Sequence, residues 1–447
     1  MNDSTLLVRG AQVLTMDARL GDIAAADVLV RDGLIARVDA ASDASAPPSA
    51  QVIDARGMLM IPGLIDTHTH MWQAPLKGVG AGMWGMGDYN QHVFPLRERL
   101  VAVDMEDATF ACGVEMLDNG ITAVLDFCHN TMSAQHAPAA LRAHRATGQR
   151  VLFCYGMLGR FETLKADHGW RLQQVHELAT HCASDDLVRF GIALGSLEFA
   201  GMELFAKEAR LGRELGLPLT FHQNVAGQVQ QIHEQGLLAA DMLPVHCNPI
   251  LDHEIDLLAQ AGCGISFTPE SEIGDGRDTS VMSRALKRGV LPSLGGDVPS
   301  RVALDLFSQM KIAFFTMRAY EAAQERLAGR WPLTRYRDTP HVQPRHMLEF
   351  CTVNAARALG LGDRLGRIAP GCHADFVLLR RAPYAPSLGD PAAHVVLQAG
   401  LADVHTVAVG GRLCKRSGEL APGLRERAAL AHIRVRERLF AAAPHTR

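Results

Sequence analysis

No apolar run in this 447-residue sequence approaches the ~18 consecutive residues that a membrane-spanning helix requires. The opening Met1-Asn2-Asp3-Ser4 lacks a basic stretch with an apolar core behind it, so a soluble, unexported, cytoplasmic protein is expected. Charge of one sign is missing too: 44 Lys and Arg stand against 48 Asp and Glu, a net of −4, with the signs interspersed. That excludes the electrostatic footprint of a nucleic-acid or anionic-membrane binder and leaves a small molecule as the expected ligand. The nine cysteines are odd in number, scattered, and include no C-x-x-C pair. They read as reduced thiols and exclude a disulfide frame or a cysteine-rich zinc site. Cys247, beside His246, reads as strand-end packing because no oriented base is signalled near it. Neither Gly274-Asp275-Gly276 nor Gly295-Gly296-Asp297 carries a P-loop lysine or a dinucleotide fingerprint. Glycine before Asp297 reads instead as room for the backbone to pass close to a site.

What is present is a change of rhythm. Residues 5 to about 58 alternate short apolar runs with turns, and Asp32-Gly33 between two runs signals a hairpin. The Ala/Ser/Pro-rich segment 40–50 reads as a surface loop. From Ile61 the pattern becomes strand, loop, helix, repeated, with strand-like runs at 121–127, 150–156, 188–195, 217–222, 242–246, 263–268 and 290–297. Eight such units predict a distorted (β/α)8 TIM barrel of the α/β class, whose chemistry gathers on loops at the strand C-terminal ends. The last ~80 residues return to β character and end in a helical Ala/Arg/Glu-rich tail; neither terminal segment can build its own core. The expected division is 1–58 and 367–447 forming a small β-sandwich from both chain ends, with 59–366 as the barrel.

Ile61-Pro62-Gly63-Leu64-Ile65-Asp66-Thr67-His68-Thr69-His70 organises the chain. Histidines at i and i+2 of an extended segment point their imidazoles to one side, which makes half a metal site. Other strand ends supply His222, His246 and Asp297. Imidazoles and a carboxylate converging at one barrel mouth suit one divalent ion per chain, Zn²⁺ or Fe²⁺, with a position left for water.

Pro62-Gly63-Leu64-Ile65-Asp66 followed by His68-Thr69-His70 resembles the first-strand signature of the amidohydrolase superfamily, and more closely the branch of cytosine, guanine and adenosylhomocysteine deaminases and triazine hydrolases. Asn354-Ala355-Ala356-Arg357-Ala358-Leu359-Gly360 through Gly371-Cys372-His373-Ala374-Asp375-Phe376 resembles its exit from the barrel. The resemblance implies His68, His70, His222 and Asp297 as metal ligands, His246 as a contact to the hydrolytic water or substrate, and a homodimer or larger homo-oligomer. Asp297 can then take a proton from water while His246 steadies the developing charge.

The chain departs from that branch at one position. A glutamate three residues after the strand-five histidine is usual there, and here the run is His222-Gln223-Asn224-Val225. Glu270, with Glu272 behind it, is the replacement expected from topology. His129, after strand two, and Asn224 are expected to touch substrate. So are Trp72, Gln73 and Trp84 in the long Met71–Tyr89 stretch, which reads as an apolar lid. The expected reaction is hydrolysis of a carbon–nitrogen bond, as removal of an amino or similar leaving group from a nitrogen heterocycle. The alternatives are an amide, urea or carbamate hydrolase, favoured by the missing glutamate, and an inactive scaffold.

Overall fold

The computed structural model describes residues 5–42, 45–160, 163–330, 341–381 and 389–441; Met1–Ser4 and part of the 40–50 segment lie outside the described residues. Strands β1 (Thr5–Leu14), β2 (Asp22–Arg31) and β3 (Leu34–Ala40) form an antiparallel meander. Its second turn has Asp32 and Gly33 at φ 49° and 81°, the positive values that match the twist of paired strands. Strands β4 (Gln51–Asp54) and β5 (Leu59–Pro62) then run parallel to β1.

The segment from Ile61 to His70, expected as one strand, is two. Ile61 belongs to β5, and a separate strand, β6 (Leu64–Thr69), opens the barrel. Gly63 is the joint. A Cβ there would lie 2.0 Å from Thr122 Oγ1, so the crossing between sheets admits no side chain.

Seven more strands follow: β7 (Ile121–Cys128), β8 (Arg150–Gly156), β9 (Val188–Ala193), β10 (Leu219–Gln223), β11 (Met242–His246), β12 (Ile265–Phe267) and β13 (Pro292–Leu294). All eight lie parallel in chain order, with helices such as His136–Thr147 and Asp252–Ala261 between them. Strands covered on both faces must be apolar throughout, which is why they read as short unbroken runs. The barrel is the expected (β/α)8 architecture. It closes through one bridge, between Thr69 at the end of β6 and Asp297 beyond the end of β13. The Asp297 amide donates to the His68 carbonyl and the His70 amide to the Asp297 carbonyl, each at 2.8 Å. A Cβ on Gly295 would lie 2.6 Å from the His68 backbone N and O. Glycine therefore permits the contact that closes the barrel and carries Asp297 to the two histidines.

Strands β14 (Phe376–Leu379), β15 (Val404–Val409), β16 (Arg412–Arg416) and β17 (Glu419–Leu420) join β1–β5 in a nine-stranded mixed sheet built from both chain ends. In it β5 pairs with β14, Ile61 opposite Val377. The sheet curls until its two hairpins meet: the Ala374 amide donates to the Gly33 carbonyl and the Gly411 amide to the Ala374 carbonyl, both at 2.9 Å. Period-two alternation then divides the side chains. Met60, Phe376 and Leu378 pack with Val8 and Val28 inside the curl, while Leu59, Ile61, Val377 and Leu379 join the barrel core. Helix Leu424–Phe440, the expected tail, lies on helix Ala102–Asp118, where Arg434 pairs with Asp107 at 2.6 Å.

Candidate active site

Extended backbone at the end of β6 sets His68 and His70 on one side, their ring centroids 4.7 Å apart. His222, on β10, lies 5.0 Å from His68 and 5.4 Å from His70 by centroid, and His246, ending β11, stacks 5.5 Å from His222. His246 and Asp297 have φ of 67° and 61°. Left-handed backbone at a residue with a side chain is strained by about 1 kcal/mol or more, and here it turns both side chains sharply inward as their strands end. Ligand atoms of His68, His70 and His222 lie within 4.8 Å of one another, as do those of His68, His246 and Asp297.

The donor set has the electronic character a divalent ion requires. His70 donates Nδ1–H to the Phe127 carbonyl at 2.8 Å, which leaves the Nε2 lone pair facing Asp297 Oδ1, 3.5 Å away. His68 is fully buried, yet neither ring nitrogen makes a hydrogen bond; its Nε2 lies 3.3 Å from the same Asp297 oxygen. Orphaned buried nitrogens facing a carboxylate fit a cation between them. Burial, reinforced by the neighbouring His68 charge, holds His70 down to about 3, and burial pushes His68 and His222 below the usual histidine range. Burial works to raise Asp297, but the close approach of His68 and the influence of His246 and His70 hold it well below the usual carboxylate range. Neutral imidazoles and an ionised carboxylate are the forms that ligate. Asp66, on the same strand, is pushed up to about 7 by burial, while its oxygens accept the His68 and Gly296 amides at 2.9 and 3.0 Å.

Supporting groups hold the set. Ser271 donates its hydroxyl to Asp297 Oδ2 at 2.5 Å, and Arg301 donates to Ser271 Oγ at 3.0 Å. His246 Nδ1 lies 3.3 Å from Glu272 Oε1 and 3.1 Å from Thr268 Oγ1. A buried carboxylate is an acceptor, so Nδ1 carries the proton and the Nε2 lone pair is free to face the pocket.

Above this floor is a pocket of about 780 Å³, solvent at its mouth included, with His70, His129, His222, His246, Asn224 and Asp297 in its lining. Phe127, Leu158 and Leu194 give it apolar walls. Asp275 stands on its rim between Arg277 and Arg301, at 3.1 and 2.6 Å.

The other sequence-predicted positions fall elsewhere. Trp72 and Gln73 are not on a lid: Met71–Leu76 is a wholly buried 3-10 helix. Trp72 lies behind His129, and Gln73 bonds the Tyr89 hydroxyl, so it meets the pocket only through Tyr89. Met71, Trp72, Leu76 and Met83, which suggested a lid, are core residues, whereas Trp84, 75% exposed, is at the surface. Glu270 does not reach the mouth. It sits at the start of a short helix and turns to Gln309, whose Nε2 donates to it at 3.2 Å, while Glu272, one turn-face away, points inward. Val225 is exposed, and the acidic group bonded to its neighbour Asn224 is Glu198, exposed on the β9 side. Cys247 is buried, and burial pushes its thiol well up, away from a nucleophile's range. Sequence reasoning missed Ser271, Arg301, Tyr89 and Phe127. No spacing signal marks them, because each reaches the site from a different element.

The sequence profile described as the amidohydrolase family matches residues 59–194 and 204–414. The 5'-deoxyadenosine deaminase of Methanothermobacter thermautotrophicus is 30% identical over 436 residues, covering 94% of this chain and 95% of its own. The 5-methylthioadenosine/S-adenosylhomocysteine deaminase of Desulforamulus reducens is 27% identical over 429 residues, covering 91% and 93%. Among solved structures, an adenosine deaminase from Xanthomonas campestris with bound zinc superimposes with a TM-score of 0.80 at 21% identity, covering 97% of this chain and 99% of that one. An atrazine chlorohydrolase from Arthrobacter aurescens TC1 complexed with zinc gives 0.80 at 19% identity, covering 96% and 99%.

Proposed function

The chain belongs to the amidohydrolase family of metal-dependent hydrolases acting on carbon–nitrogen bonds, and on that premise we propose that it removes the amino group of an aminated nitrogen heterocycle carried on a nucleoside-like small molecule. The observation that carries the reading is the cluster of four histidines and one aspartate at the floor of an apolar-walled pocket. Similarity over nearly the whole length to relatives named as deaminases of 5'-deoxyadenosine and related nucleosides supports the substrate class.

In this reading His68, His70, His222 and Asp297 hold one divalent ion, zinc in preference to iron. Such an ion, when bound, activates water near neutral pH and polarises the electrophile. Asp297 accepts the proton of the attacking water, with Ser271 holding the oxygen that does not face the imidazoles. His246, kept by Glu272 with Nδ1 protonated, offers its Nε2 lone pair to the water or the amino group. Phe127, Leu158 and Leu194 hold a flat ring and exclude bulk water. Buried, unpaired cysteines accord with a reducing cytoplasm. Assembly as a homodimer or larger homo-oligomer belongs to the same proposal.

Val225, in place of a carboxylate, favours a second reading, hydrolysis of an amide, urea or carbamate. A product assay on zinc-loaded protein separates the two. Aminopurine nucleosides, aminopyrimidines and aminotriazines are offered beside aryl amides and phenylureas. Ammonia from the heterocycles is the expected result; an organic amine from the amides or ureas alone would overturn it.

A further inference from the structure

His129 follows β7 and lines the pocket, with its ring centroid 4.0 Å from that of His70. It is boxed in by aromatic rings: Trp72 at 5.5 Å, Phe94 at 5.8 Å and Phe127 at 6.1 Å between centroids. Its backbone is pinned as well, because the buried Arg97 donates to the His129 carbonyl at 3.1 Å and to that of Gly159 at 2.9 Å. The ring is therefore packed on three sides by aromatic groups, on a backbone held in place.

Its tautomer follows from its neighbour. Trp72 Nε1 lies 3.2 Å from His129 Nδ1, and Trp72 is only 1% exposed. An indole N–H is a donor and never an acceptor. His129 Nδ1 must therefore be the unprotonated nitrogen, and the ring proton sits on Nε2, the atom left to face the pocket. His246 is held the opposite way, with its proton on Nδ1 toward Glu272. His129 packs on His70 and His246 on His222, so the two flank the ligand set, one as a donor and the other as an acceptor.

We propose that Trp72 locks His129 as a fixed Nε2–H hydrogen-bond donor, and that this donor selects substrates carrying a hydrogen-bond acceptor beside the reacting carbon. The substrate class, though not the tautomer, rests on the deaminase reading above. The N=C–NH₂ edge of an aminated heterocycle matches the pair: its ring nitrogen accepts from His129 while its amino group donates to His246. The branch resemblance implies a glutamate at position 225 to meet a ring nitrogen; here the contact comes from the strand-two side instead. Because a neutral imidazole would have to become an imidazolate to give up this proton, His129 orients and polarises and is not a proton carrier.

The test has two independent parts on the full-length, zinc-loaded protein. With ¹⁵N-histidine labelling, and H129N to assign the resonances, wild type should show His129 protonated at Nε2 and unprotonated at Nδ1. W72F, which keeps the aromatic bulk and removes the N–H, should show the Nδ1–H tautomer appearing. Wild-type protonation at Nδ1, or no change in W72F, would overturn the lock. For selectivity, the KM of a 6-aminopurine nucleoside is compared with the competitive inhibition constant of its 1-deaza analogue, in which C–H replaces the acceptor and which cannot itself be deaminated because no ring nitrogen takes up the electron pair when water adds. H129F should lose on the order of 100-fold in kcat/KM on the nucleoside, and should bind the nucleoside and the 1-deaza analogue with little discrimination where wild type prefers the nucleoside. H129N, which retains a side-chain N–H, should recover about tenfold, and W72F should lie between wild type and H129F. Zinc content and melting midpoint report whether each variant is intact. Undiminished discrimination in H129F, or no recovery in H129N, would overturn the donor role. If the wild-type enzyme deaminates no heterocycle, the proposed reaction falls, and the labelling result still decides the lock.

Discussion

Replacing Ser271 by alanine isolates one hydrogen bond at the proposed metal-binding set. Its hydroxyl donates to Asp297 Oδ2 at 2.5 Å, and Arg301 donates to the same hydroxyl oxygen at 3.0 Å. Both Ser271 and Asp297 are buried at the lining of the pocket, so a water could take the place of the hydroxyl only from the pocket side. A hydrogen bond to an ionised group contributes about 1.5–3 kcal/mol. At about 1.4 kcal/mol per factor of ten, that is roughly a 10- to 150-fold loss in the affinity of the site for a divalent cation. The local fold should survive. Arg301 keeps Asp275 at 2.6 Å and the Ser271 carbonyl at 3.2 Å, and the change removes a single oxygen. Zinc affinity would be measured by competition with a chromophoric chelator, and the melting midpoint on metal-stripped protein. The expected result is weakened zinc binding, by about tenfold or more, with stripped-protein midpoints within about 2 °C of each other. An affinity within about threefold of wild type would refute the claim that Ser271 holds Asp297 for the metal.

Glu272→Gln should lower kcat by about 10- to 100-fold with KM little changed, because it neutralises the carboxylate 3.3 Å from His246 Nδ1. Glu270→Gln, at a carboxylate turned toward Gln309, should leave kcat within about twofold; the reverse pattern in steady-state kinetics would return Glu270 to the chemistry. Away from the site, burial works to raise the Asp185 carboxyl, but the Val188 and Leu187 amides and Arg145 outweigh it and hold it below its ordinary 3.8. A native pKa below the unfolded one adds stability above the unfolded value, and that stability is lost as pH falls through the native value. Asp185→Asn should therefore be less stable than wild type at neutral pH, by about 0.5 kcal/mol once solvent screening of this partly exposed group is allowed for, with the gap closing below about pH 4. Urea melts giving a constant gap down to about pH 3 would contradict this.

The barrel was legible because strands buried on both faces read as short, mostly apolar runs recurring between helix-like segments, as in Ile121–Cys128 and Arg150–Gly156, whose residues are all buried. His68 and His70 were legible because i, i+2 spacing in extended chain fixes a common side without any tertiary information. The division between β5 and β6 was not. Ile61 and Leu64 are both buried and apolar, so no periodicity separates them; what separates them is the approach of Thr122 to Gly63, a contact between residues 59 positions apart in sequence. The apolar lid failed for a similar reason. Glycines and methionines in sequence do not say which apolar side chains will find a cavity to fill, and Trp72 found one beside His129.

Sequence by itself determined the architecture, through its strand-and-helix rhythm, and that His68 and His70 share one side, through local geometry; the family was legible in the resemblance of residues 62–70 to a known signature. Only the tertiary structure decided which carboxylate serves His246. Glu270 and Glu272 are two residues apart at the start of one helix, where a rotation of about 200° separates their directions, and what packs against each face settles the matter. Likewise the proton on each ring is assigned by a neighbour distant in sequence, Trp72 for His129 and Glu272 for His246. Hydrogen-bond direction is a property of pairs, and a sequence names residues one at a time.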